Sequence, residues 1–117
     1  MEKENIEISY DKEENIISLF KAGAGVKFSF DISLPNGDVV IDYGFNVLIV
    51  GMEFFNASDY FPILNKIKDV KKLKAVKNVR YGPNWAQIAY ALYSSEMKEP
   101  IVSFINAPYS KKLILKN

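Results

Sequence analysis

Apolar and polar residues alternate with a period of two through most of the first half of the chain. Ile6, Ile8 and Tyr10 are separated by Glu7 and Ser9, and the polar run D-K-E-E-N then reads as a turn. A second strand is expected over residues 15–20, followed by the flexible connection K-A-G-A-G. Val26, Phe28, Phe30 and Ile32 alternate with Lys27, Ser29, Asp31 and Ser33, the pattern of a strand with one wet face. L-P-N-G-D is a turn signal, because Pro presets φ while Asn and Gly accept positive φ. Residues 39–43 and 47–55 complete five strands, this last pair joined through G-F-N with Gly44 in the turn. The run 47–55 is apolar on both faces, which predicts a central strand covered on both sides. Gly51 within it marks a close approach, with Tyr60 or Phe61 as the expected covering ring.

After Phe55 the period changes. N-A-S-D supplies capping residues, and Pro62 is tolerable only near a first turn. Ile63, Leu64, Ile67 and Val70 recur at helical spacing, which predicts a short helix with most of its lysines on a solvated face. Residues 85–93 fit two templates. Trp85, Ile88, Ala89, Leu92 and Tyr93 suit a helix, whereas Ala86, Ile88, Tyr90 and Leu92 suit one face of a strand. The β-rich run 101–105 needs a strand partner, so strand is the reading adopted. The expected fold class is therefore α+β: a five-stranded antiparallel β-meander, a short helix, and a second three-stranded antiparallel meander over 76–81, 86–93 and 101–105.

At 117 residues, a single domain covering 1–117 is expected, with the helix and C-terminal meander in residues 61–117. The composition, 49% hydrophobic and 14% aromatic, can build a core without staples. Cysteine and histidine are both absent. That removes disulfides, thiolate chemistry, zinc sites of the usual donor set and histidine-assisted nucleophiles. The N-terminal M-E-K-E-N-I-E has neither a basic nor an apolar signal region, and no apolar run approaches the ~20 residues of a membrane span. A cytoplasmic protein without a membrane partner is the expectation.

Residues 6–60 resemble the family designated domain of unknown function 2283. The resemblance is carried by Tyr10-Asp11, by Val40-Ile41-Asp42, and by the block I-V-G-M-E-F-F-N-A-S from Ile49 to Ser58. It implies a β-meander followed by a helix cap, with a helical segment and a second meander in longer archaeal members. No activity follows from it. Two features depart from the family pattern: Asn46-Val47 replaces an Asp-Gly turn, and Asn56 replaces an Asp.

Charge is split along the chain. Residues 1–62 hold four lysines against eleven acids, a net of −7, and residues 63–117 hold eleven basic residues against three acids, a net of +8. Lys66, Lys68, Lys71, Lys72, Lys74, Lys77 and Arg80 cluster ahead of Tyr81 and Trp85, a candidate nucleic-acid-binding segment, because lysines attract phosphates and exposed aromatics stack on bases. Against it stand a near-neutral domain and a single arginine. Asp11, Asp42, Glu53 and Asp59 are the carboxylates available for acid–base work, yet no catalytic or metal spacing holds them together. Asp11 reads as a turn cap and Asp59 as a helix-start residue. The leading expectation is a non-catalytic interaction module with no cofactor, forming a homodimer or binding a protein partner. Nucleic-acid binding is second and a carboxylate-pair enzyme third.

Overall fold

A computed structural model describes residues 4–110 and 112; the first three residues and most of those after Ser110 lie outside it. The described chain forms β1 (Glu4–Asp11), β2 (Ile16–Phe20), β3 (Val26–Leu34), β4 (Gly37–Gly44), β5 (Ile49–Phe55), β6 (Lys74–Tyr81), β7 (Trp85–Tyr93) and β8 (Ile101–Pro108). All eight strands join one antiparallel sheet in the order β3-β4-β5-β2-β1-β6-β7-β8. The α+β class with two separate meanders is therefore incorrect: the molecule is a nearly closed, barrel-like sheet.

Two pairings make the difference. β5 turns back onto β2, with Phe20 opposite Gly51 and Ile16 opposite Phe55. The K-A-G-A-G connection is long enough to carry β3 past them to the sheet edge. β1 then pairs with β2 on one side and β6 on the other, uniting the acidic and basic halves.

The expected helix is a second correction. Between β5 and β6 a single α-turn forms, α1 (Ala57–Tyr60), followed by 3-10 turns at Pro62–Asn65 and Val70–Lys72. Leu64 and Ile67 are buried as the stripe required. However, Phe61 sits outside helical geometry at φ −129°, ψ 79°, and Asp69 is extended and caps the second turn by accepting from the Lys71 N–H at 3.0 Å. Fragments this short gain little from helix propagation and are held by burial instead. α1 starts at Asn56 in the left-handed region, with no bond from its own side chain. Its cap comes from Asn15 in the β1–β2 turn. The Asn15 Oδ1 accepts from the Ser58 N–H at 3.0 Å, and the Nδ2 donates to Ser58 Oγ at 2.9 Å.

Eight strands enclose an interior about wide enough for side chains to fill. Ile17, Leu19, Ile41, Met52, Phe54, Ile88 and Leu92 fill it. At one end the α1 segment acts as a plug, with Phe54, Tyr60, Phe61 and Tyr90 packed edge to face or tilted at 5.2–6.1 Å. At the other end Tyr43, Tyr81 and Tyr109 gather. Tyr43 donates its hydroxyl to the Pro108 carbonyl and Tyr109 to the Val47 carbonyl, drawing β8 towards β4 and β5.

β5 is buried on both sides from Ile49 to Met52, and beyond that its outer face is half-exposed at Glu53 and Phe55. Its inner residues Met52 and Phe54 are buried, while Gly51 and Glu53 face outward with Asp42 and Val40. Tyr60 and Phe61 lie inside the barrel, so neither covers Gly51. Instead a Cβ there would stand 3.3 Å from both Asp42 Oδ2 and Phe20 Cβ. Nor does Gly44 supply the turn's left-handed residue: that conformation falls on Val47 (φ 61°), while a Cβ on Gly44 would meet Val50 at 2.8 Å.

Candidate interaction surface

The lysine-rich segment is dispersed by the fold. Lys66, Lys68, Lys71 and Lys72 are exposed on the loop and 3-10 turns leading into β6. Lys74 and Arg80 are exposed on the outside of β6, six residues apart, which in a strand is about 20 Å. Lys77 faces the barrel interior opposite Tyr90 and is 4% exposed. Tyr81 is committed inside as well, accepting from the Ile49 N–H at 2.9 Å with its ring 4.6 Å from Tyr109. Trp85 lies over Gly82, whose missing Cβ would fall within 2.6 Å of the indole. Of the two rings in this segment, Trp85 alone stays exposed, at 41%, and its indole is packed over Gly82.

Glu96 organises the same loop. Its two carboxylate oxygens accept from the Lys68 and Asp69 N–H groups, each at 3.1 Å. Those backbone bonds hold its carboxyl below the usual range. Its partners explain it as a loop clasp.

Of the four candidate carboxylates, the structure brings two together. Asp42 and Glu53 share a shallow outer groove of about 320 Å³, floored by Gly51 and bordered by Ser18, Phe20 and Val26. Ser29 donates to Asp42 Oδ1 at 2.6 Å. Desolvation, with the Asp42 charge added, raises the Glu53 carboxyl above its ordinary value. Asp11 accepts from the Glu14 N–H at 3.1 Å and so caps the first hairpin, and Asp59 sits in the single turn of α1. No group of three or more metal-ligating side chains occurs among the described residues.

A different surface stands out on the outside of β7 and β8. The register sets Ala91 beside Val102, Ala89 beside Phe104, Gln87 beside Asn106, and Trp85 beside Pro108. None of these outward residues is charged. Val102 is 71% exposed and Phe104 57%, with Trp85 and Tyr93 also open to solvent. Soluble monomers rarely leave contiguous apolar surface of this kind uncovered. Sequence reasoning passed over it, although W-A-Q-I-A-Y-A-L-Y-S-S and I-V-S-F-I-N-A-P are both free of charge. With alternate positions buried, each strand leaves an uncharged row for the outer face.

The chain is similar to an uncharacterized protein of Methanocaldococcus jannaschii, 32% identical over 76 residues, which span 63% of this chain and 62% of that protein. The chain therefore covers less than two thirds of that relative's length. No family model and no solved structure matches it, so the resemblance of residues 6–60 rests on the quoted motifs. No helix among the described residues is long and apolar enough to cross a membrane.

Proposed function

We propose that the chain is a non-catalytic interaction module that self-associates through the outer face of β7 and β8. The observation that carries this reading is the uncharged outer surface around Val102 and Phe104. Its relief supports a second copy as the partner. Phe104 stands as a knob next to Ala89, and Val102 next to Ala91, so knobs and hollows lie side by side on one patch. A twofold axis brings the knobs of each copy over the hollows of the other, as an isologous interface demands. Two antiparallel sheets packed this way form a sandwich with about 10 Å between them.

The test is light scattering coupled to size exclusion on the wild type and on Val102→Lys and Phe104→Lys. Both side chains point to solvent from an outer face, so the fold should persist by circular dichroism. The wild type is expected to run as a dimer at high and low salt, and each lysine variant as a monomer. A monomeric wild type, or variants that remain dimeric, would overturn the proposal.

A further inference from the structure

We propose that the open end of the seam between β3 and β8 is a slot for an extended, uncharged peptide segment of a partner protein, taken up as an added strand along β8. Among the described residues the two edge strands of the sheet are β3 and β8, each paired with a single neighbour. The direction in which the β8 backbone groups point follows from the ladder. Beyond the Trp85–Pro108 pair, the Tyr109 N–H donates to the Asn84 carbonyl at 3.4 Å. In an antiparallel ladder hydrogen-bonded pairs alternate, so Ile101, Ser103, Ile105 and Ala107 bond to β7. Val102, Phe104 and Asn106 then direct their N–H and C=O groups at the seam. Pro108 belongs to the same series, and its carbonyl accordingly accepts the Tyr43 hydroxyl from across the seam.

That bond latches one end of the seam. The other end is open, with a cavity of about 520 Å³ between the Leu34–Asn36 turn, Tyr60, Phe61, Tyr90 and the first half of β8. No residue lining it is charged. The edges are also unequally protected. β3 carries Lys27, Asp31 and a bulge after Val26, the devices that discourage strand addition. β8 carries no charge and no register shift from Ile101 to Pro108. Proline removes an edge donor at Pro108, which limits the usable edge to the segment from Val102 to Asn106.

These features select the occupant. Strand addition supplies backbone hydrogen bonds in series, and alternate side chains find pockets. One row of the added strand faces the aromatic wall of Tyr60, Phe61 and Tyr90, so apolar residues are required there. A charge would be stranded against an uncharged lining. A folded second copy does not fit the slot, because its own β7 would follow about 4.8 Å behind its β8, in the place β3 occupies. The slot uses the backbone edge of β8, whereas self-association is assigned to the outward side chains of Val102 and Phe104, residues that also border the cavity.

The probe is a fluorescent, end-capped hexapeptide of alternating valine and threonine, read by polarisation, with amide hydrogen exchange of the protein in parallel. Binding is expected to slow exchange at Val102, Phe104 and Asn106. Val102→Pro removes a seam-facing N–H without breaking a bond to β7, and should weaken binding by about tenfold or more. Should that variant lose its fold, exchange at the three amides of the wild type decides the matter. No binding, binding with those amides unprotected, or equal binding by a folded Val102→Pro would overturn the proposal.

Discussion

Glu53 shows how much one side chain depends on its strand neighbours. On the outside of β5 it is half-buried beside Asp42, and desolvation with that neighbouring charge raises its carboxyl above the ordinary value. The native state therefore holds the Glu53 proton more tightly than the unfolded chain does. Its effect on stability is favourable at low pH and is lost as pH rises through the raised value, leaving a repelled carboxylate at pH 7. Glu53→Gln is expected to be more stable than the wild type at neutral pH by about 0.5 kcal/mol, a small figure because water still screens the groove. The difference should vanish near pH 3, where both side chains are neutral. Urea titrations at the two pH values check this; a variant less stable at pH 7 would show that the carboxylate accepts a favourable bond. The sequence pattern puts Asp42 and Glu53 on neighbouring expected strands, but does not put them next to each other. Their proximity comes from the Asp42–Gly51 and Val40–Glu53 pairs of the β4–β5 ladder, and a bulge after Asp42 shifts that ladder beyond what the G-F-N turn alone specifies.

Among elements, strands were legible because each has an inner face that must be apolar, and a period of two survives any change of partner. The helix was misread for a definite reason. Ile63, Leu64, Ile67 and Val70 are all drawn towards the core, yet successive α and 3-10 turns bury residues every three or four positions without joining into one helix. The plug is instead pinned from outside itself. Asn15, left-handed at φ 58°, accepts from the Tyr10 hydroxyl at 3.1 Å and from the Ser58 N–H, and donates to Ser58 Oγ. The Asn15 backbone carbonyl also accepts from the Ala57 N–H at 2.9 Å. Asn15→Ala should cost about 2 kcal/mol, from the lost cap and a Cβ residue less tolerant of that φ. Asn15→Gly keeps the backbone relaxed and loses only the side-chain bonds, so it should cost about half as much. Chemical denaturation of both variants separates the two contributions; equal losses would place the whole effect in the side chain. Nothing in the D-K-E-E-N turn reveals its long-range partner, which lies 43 residues away.

At the scale of the whole molecule, closure is what the sequence did not disclose. Five strands then three read as two meanders, because local turns give no sign that β5 returns to β2 or that β1 bridges the halves. The end of the seam that does close relies on Tyr43, which is 2% exposed and whose hydroxyl reaches the Pro108 carbonyl. Burial, with Tyr81 and Tyr109 nearby, pushes the Tyr43 phenol up from 10.0 to about 12. The folded chain thus keeps a proton that the unfolded chain releases first. The corresponding stability is fully present below pH 10 and is lost as pH climbs towards 12. Tyr43→Phe cannot ionise and cannot latch the seam. It should be less stable than the wild type by about 1 kcal/mol at pH 7, the net worth of one hydrogen bond. Its stability should then decline less steeply above pH 10, so the two proteins converge as the solution becomes alkaline. Guanidinium melts from pH 7 to pH 11.5 would read both effects. Parallel curves would mean that Tyr43 titrates as an ordinary phenol, and a variant as stable as the wild type at pH 7 would mean that the seam closes without its latch.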